Sequence, residues 1–253
     1  MLLRVLGAGQ HGDIAWIEYL LVLVVVLPLI AVAESLAPES GSAAVRARPR
    51  PVRADWTWLA VVIVAAPAVM AATVVAAGAL ARHGAAPGWF RGHAVAAAIV
   101  GGLVAELAGY WAHRGEHRLA MLWPLHRAHH GATHLDALRG LRSHPLDLVW
   151  TRGLPVLAAA LAGIGPDRLT PYLSVLFVVS VLAHADLEVP PTWSRLVVTP
   201  GYHRTHHDVR HCGANLAMVL PVLDRLFGTA AIGERPRCFA GAPSQPGEHA
   251  HGQ

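Results

Sequence analysis

The chain has 253 residues, 54% of them apolar and only 14% charged, against roughly 25% charged in an ordinary soluble domain. That bias excludes a disordered chain and points away from a cytosolic globular protein. All 20 basic residues are arginine and exceed the 16 acids by +4 with the histidines neutral, a balance that beside long apolar runs fits anionic lipid headgroups at least as well as nucleic acid.

Five segments carry the apolar residues. Ile14 to Ala33 comes first, with Glu18 near its start. Its Ala31-Val32-Ala33 imitates a signal-peptidase site, but Arg4, Asp13 and Glu18 give the preceding stretch a negative charge; the segment therefore reads as an uncleaved anchor. Pro38 to Pro51 follows as a loop. Trp56 to Leu80 then supplies 25 residues without a charge, enough to cross a hydrocarbon core that needs about 20. Ala94 to Ala112 is interrupted only by Glu106, and Leu169 to Ala185 is shorter and uncharged. Pro145 to Ile164 holds Asp147 and Arg152 in its first turns, which suits a half-buried hairpin arm and leaves four to five spans. The expected fold is an all-α membrane bundle forming a single domain over residues 1–253, ending in a polar, disordered tail from Gly241 to Gln253.

Arg46, Arg48, Arg50 and Arg53 place the loop after the first span in the cytoplasm by the positive-inside rule. Alternation then puts residues 83–93 and the Gly163 to Arg168 turn outside, and residues 113–144 and everything after His184 inside. Both histidine-rich regions thereby fall on one side, in a cytosolic cap.

Twelve of the 17 histidines lie between residues 113 and 211. Most belong to His113-x3-His117, His126-x2-His129-His130 and His203-x2-His206-His207. Chance would supply a His-x2-His-His triplet roughly 0.08 times in such a chain, so two copies signal a site. On a helix, residues at i, i+3 and i+4 share one face, and each cluster aims its imidazoles at one point. A lone histidine is ordinarily a hydrogen-bonded packing residue, but burying many imidazoles without a partner is costly. Neutral imidazole binds iron, zinc, copper and nickel, and nine or ten ligands suffice for two ions. His184 ends the last span on the same side and joins the expected set; His144 is a further candidate, as ligand, support or interfacial anchor.

The remaining histidines read as bland. His134 and His211 each stand four residues past the end of a cluster and are expected to stay outside it; His11, His83 and His93 face the other side; His249 and His251 lie in the tail. Cys212 and Cys238 are too few for a disulfide framework or a thiolate site and read as ordinary residues. Glu106, Tyr110, His113 and His117 recur at intervals of 4, 3 and 4, one stripe running down a helix onto the site. A carboxylate at bilayer depth is a functional hypothesis by default, and Glu106 is expected either to accept a ligand's N–H or to be a carboxyl satisfied by another helix or simply protonated.

At these residues the sequence resembles the fatty acid hydroxylase and sterol desaturase superfamily of integral-membrane di-iron enzymes, from about Glu106 to Thr229. Tyr110-Trp111-Ala112-His113-Arg114 with His117 resembles the first histidine box, and Leu122-Trp123 leading to His126-Arg127-Ala128-His129-His130 the second. Leu135-Asp136 and Arg142-Ser143-His144-Pro145-Leu146-Asp147 are similar to the segment that follows. Val198-Thr199-Pro200 with His203-Arg204-Thr205-His206-His207 resembles the third box, and Asn215 with Leu223-Asp224-Arg225-Leu226-Phe227-Gly228-Thr229 the family's closing motif. The chain departs from that pattern at Leu223, where tryptophan is usual, at Leu216-Ala217, where Tyr-Gly is frequent, and at Glu106, where aspartate is common. No histidine follows His184 by three or four residues, as it does in some hydroxylases of the family.

The resemblance implies a membrane-bound enzyme with two iron ions held by His113, His117, His126, His129, His130, His184, His203, His206 and His207, and supported by Glu106, Tyr110, Asp136, Arg142, Asp186 and Asn215. It implies O2-dependent hydroxylation or desaturation of an unactivated C–H bond in a lipid of fatty acyl, sterol, hopanoid or carotenoid type. Such a bond offers no acidic proton or carbonyl, so a redox metal is required. The glycines Gly7, Gly9 and Gly12 near the N-terminus do not read as a dinucleotide-binding turn opening a helix, and no cysteine set is present to hold a cluster. Electrons are therefore expected from an external ferredoxin or cytochrome with its reductase, docking near exposed arginines such as Arg204 and Arg210. Membrane lipids are the other expected partner, and nucleic acid is not. Two rival classes are a bis-histidine haem protein and a metal transporter; the first needs facing axial histidines in the bundle, the second ligands near the midplane.

Overall fold

The structure, a computed structural model, describes residues 22–36, 38, 53–83, 90, 92–132 and 134–231, and among them it holds helices and turns and no strand. A π-helical turn, Val22–Val26, leads into α1 (Leu27–Leu36). The long helices α2 (Arg53–Ala81) and α3 (Ala94–Arg118) follow, then the short α4 (Trp123–His130). A helical arm comprises α5 (Pro145–Leu148), a π-helical turn (Val149–Gly153) and α6 (Leu154–Leu161), and α7 (Thr170–His184) returns against α3. The chain closes with α8 (Pro200–His207) and α9 (Val222–Leu226).

α2 and α3, of 29 and 25 residues, are long and apolar enough to cross a membrane. Each exceeds a ~30 Å hydrocarbon core at ~1.5 Å rise per residue. They also leave large apolar side chains uncovered: Ile63, Val64, Val74 and Val75 on α2, and Val95, Ile99, Leu103, Leu107 and Trp111 at four-residue intervals on α3. A soluble core helix buries such a stripe.

The predicted segments Trp56 to Leu80 and Leu169 to Ala185 correspond to α2 and α7, and α3 runs beyond Ala112 to Arg118. At 15 residues α7 is shorter than a crossing needs. The Pro145 to Ile164 segment is interrupted by the π-helical turn at Val149–Gly153, with Pro155 two residues on. Residues 14–21 of the first predicted span, the arginines at 46, 48 and 50, Cys238, His11, His249, His251 and the predicted tail lie outside the described residues.

α6 packs against both α2 and α3, burying Ala77, Val156, Ala159, Ala160 and Leu169. Small residues permit this closeness. A methyl group on Gly101 of α3 would lie 2.8 Å from Leu169 and 2.9 Å from Ile164, at the hairpin turn.

The other end of the bundle is fastened by buried carboxylates. Asp55, in the first turn of α2, accepts from Arg142 Nε at 2.8 Å and stands 3.6 Å from Arg139 Nε. Glu34 of α1 accepts with one oxygen from the backbone N–H groups of Ala137 and Asp186, at 2.9 and 2.8 Å. The end of α2 that follows the arginine-rich loop therefore holds the segments that flank the histidines.

Candidate metal centre

Three short stretches of helix and one helix end converge here. The last two turns of α3 carry His113, Glu116 and His117 on a buried face. α4, which opens with Pro124 in its first turn, carries His126, His129 and His130. α8 is started by Thr199, whose hydroxyl accepts from Tyr202 N–H, and carries His203, His206 and His207. His184 closes α7. α4 and α8 have eight residues each, and on both the histidines occupy one i, i+3, i+4 face, as the spacing requires.

The nine rings divide into two sets. His113, His117, His126, His130 and His206 form one; His129, His184, His203 and His207 form the other; within each, the candidate ligand atoms all lie within 4.8 Å of one another. Nε2 atoms stand 3.1 Å apart between His113 and His126 and between His130 and His206. In the second set the separations are 2.9 Å for His129 and His184, 2.9 Å for His184 and His203, and 3.1 Å for His203 and His207.

The opposite ring nitrogens decide what these contacts mean. Nδ1 meets a backbone carbonyl in His113 (Leu216, 2.8 Å), His129 (Arg142, 3.1 Å), His184 (Ser180, 2.6 Å) and His206 (Ala214, 2.8 Å). A carbonyl only accepts, so Nδ1 carries the proton and Nε2 of the neutral ring is a bare lone pair. His129 and His184 thus bring two lone pairs to 2.9 Å. That is repulsive without a cation, whereas two nitrogens at ~2.1 Å from one ion and at right angles stand about 3 Å apart. The donor set, nine imidazoles with the tautomers of four fixed by carbonyls, fits two transition-metal ions.

Burial, and next the neighbouring histidines, hold His129, His130, His203, His206 and His207 well below the usual value of 6.5. The unfolded chain binds protons near 6.5 that the folded chain refuses, so stability is complete above that pH and is lost as pH falls through it. Metal-stripped protein in detergent should show a level thermal midpoint above about pH 7.5 and a progressive fall from about 6.5 to 5.5. A flat profile across that window would show these rings to be exposed.

Other predicted residues take different places. His144 caps α5, its Nδ1 accepting from Leu146 N–H, outside both sets. Arg142 acts through its carbonyl on His129, while its guanidinium holds Asp55. Tyr110 bonds Thr229 and Arg114; Asp136 pairs with Arg139; Asn215 binds the backbone of Tyr202 and Ala231. Arg204, expected to be exposed, is 5% exposed: it sits 3.5 Å from Asp186 and donates to the Leu135 carbonyl at 3.1 Å. Arg210 pairs with Asp208.

Glu106 does not reach the histidines. One of its oxygens accepts from the N–H groups of Val219 and Leu220, both at 2.8 Å, and the other from Tyr172 OH at 2.8 Å. Glu106→Gln keeps an acceptor for both N–H groups and should leave metal content unchanged. Glu106→Ala should cost roughly 2–4 kcal/mol in thermal unfolding, since two buried N–H groups lose their partner.

Asp147, Glu116, Cys212 and Gly140 were not among the expected site residues. Asp147 accepts from His126 Nδ1 at 2.9 Å and from the Ser143 hydroxyl. Glu116, 0% exposed, stands 3.3 Å from the same nitrogen, and neither of its oxygens receives a hydrogen bond. Its position three residues after His113, on the same helical face, was the available signal. Cys212 Sγ lies 3.5 Å from His117 Nδ1, its thiol pushed up to about 11 by burial and hence protonated.

A fatty acid hydroxylase family profile matches residues 98–229. The fatty acid hydroxylase domain-containing protein 2 of Homo sapiens is 25% identical over 54% of this chain and 39% of its own length. Ornithine lipid hydroxylase OlsE of Rhizobium tropici is 29% identical over 54% of this chain and 43% of its own. The very-long-chain aldehyde decarbonylase GL1-2 of Oryza sativa subsp. indica is 32% identical over 71% of this chain and 31% of its own. The chain thus spans less than half of each of these relatives. No solved structure matches it.

Proposed function

The chain belongs to the fatty acid hydroxylase family, and we propose that it is a multi-pass membrane oxidoreductase that hydroxylates or desaturates a lipid at a di-iron centre. We read residues 1–253 as one domain with the centre on the cytoplasmic side. The observation that carries the reading is the convergence of neutral imidazole lone pairs at about 3 Å, in one set of five and one of four. Iron is preferred to zinc because the substrate bond needs redox chemistry.

His113, His117, His126, His130 and His206 would hold one ion, and His129, His184, His203 and His207 the other. When bound, such ions supply oxygen activation for removal of hydrogen from an unactivated carbon. The chain's own part is to fix each ring. Backbone carbonyls of Leu216, Arg142, Ser180 and Ala214 keep four protons on Nδ1, and Asp147 keeps that of His126. Burial of eight of the nine rings keeps water from the ligand atoms. O2 and the electrons come from outside, the latter from a separate carrier.

A bis-histidine haem needs two rings on opposite faces of a porphyrin, whereas these histidines crowd together, His130 and His207 stacking with centroids 4.3 Å apart. A transporter would hold its ligands near the midplane, whereas these gather at one end of the bundle. The test is lipid mass spectrometry of cells with and without the gene, paired with metal analysis of anaerobically purified protein. Species gaining one oxygen or losing two hydrogens, with two irons per chain and no haem band, are expected. Unchanged lipids, or zinc as the only bound metal in active protein, would overturn the reading.

A further inference from the structure

Away from the histidines, the final third of the chain leaves a compact set of large apolar side chains uncovered. Trp193 is 55% exposed and Leu196 69%, in and just after the 3-10 turn Pro191–Arg195; Val222 is 49% and Leu226 71%, on α9. Arg225 Nη2 donates to the carbonyl of Arg195 at 2.7 Å, so the turn and α9 form one unit. Four such side chains facing water would be an aggregation liability in a soluble protein.

The position of this unit identifies what covers it. Phe227, which ends α9, stacks on Tyr110 and meets Trp111 edge-on, both with centroids 5.1 Å apart. Trp111 is the last uncovered member of the apolar stripe on α3. One turn further on, Arg114 lies over the rings of Tyr110 and Trp111, at 5.9 and 5.2 Å. The unit therefore sits where α3 changes from apolar to charged, the level at which tryptophan and arginine collect in membrane proteins. Its surface is continuous with the stripe, and Arg195 and Arg225 suit anionic headgroups.

We propose that the Pro191–Arg195 turn, Leu196 and α9 form a foot that lies in the boundary between headgroups and acyl chains of a phospholipid bilayer. This rests on the reading of α2 and α3 as spans. Full-length protein is reconstituted in nanodiscs of phosphatidylcholine and phosphatidylglycerol at about 3:1, with acyl chains plain or brominated near the headgroup. The difference between wild type and Trp193→Phe gives the Trp193 emission. Bromination should lower it about twofold or more. Quenching of the other tryptophans with none of Trp193 overturns the foot and leaves the spans intact, and quenching of none overturns both. An unquenched Trp193 together with a dimer that Leu226→Asp dissociates assigns the face to a second copy, and also overturns the proposal.

Discussion

A His126→Ala chain is expected to fold and insert, to retain one metal ion in place of two, and to oxidise lipid at less than about one hundredth of the wild-type rate. His126 faces His113 Nε2 at 3.1 Å with one nitrogen and Asp147 at 2.9 Å with the other. Its removal breaks the five-histidine set and takes one hydrogen-bond donor from the buried Asp147, which keeps the Ser143 hydroxyl, while the four-histidine set keeps all its members. Alanine is the better helix former, so α4 itself is not weakened. His130→Ala and His206→Ala should behave alike, and His203→Ala should cost the other ion. His211→Ala, outside both sets, should retain two. Metal content of anaerobically purified protein and product formation are the two readouts. Full activity in any two of the first three variants would remove the ligand assignment.

The histidine clusters that the fold draws together were legible because each is a local pattern: two or three histidines at helical spacing need no knowledge of the fold. Which ring meets which was not. His129 and His130 are adjacent in sequence yet belong to different sets, since neighbours on a helix point about 100° apart. The Glu106 stripe shows the same limit. Periodicity placed it correctly on the buried face of α3, but its partners, the Val219 and Leu220 N–H groups, lie over a hundred residues away. Leu216 and Ala217, read as departures from the family pattern, are buried, and donate their N–H groups to Asp224, while the Leu216 carbonyl orients His113. A backbone carbonyl has no sequence signature, so most of the groups that fix the rings were invisible. The spans were read from apolar length alone, which cannot report the π-helical turn that interrupts the Pro145 to Ile164 arm.

Gly140→Ala should be nearly as damaging as loss of a ligand, although Gly140 carries no ligand atom. A methyl group there would lie 2.3 Å from His184 Cγ and 2.4 Å from its Cβ. The His184 ring has little room to retreat, because Nδ1 is held by the Ser180 carbonyl and Nε2 faces His129 and His203. The alternative is for the Arg139–Leu141 turn to move outward, and that turn ends at Arg142, whose carbonyl holds the His129 ring. Either adjustment displaces His184 or His129, two of the four members of one set, while the five-histidine set is untouched. One ion should be lost and turnover should fall roughly 10- to 100-fold, with α2, α3 and membrane insertion preserved. A companion Gly92→Ala separates site effects from general strain: that glycine, just before α3, has φ +78 with open space around it, so alanine there should lower stability without changing metal content. Two ions and an undiminished rate in Gly140→Ala would show that the turn yields freely and does not set the position of His184.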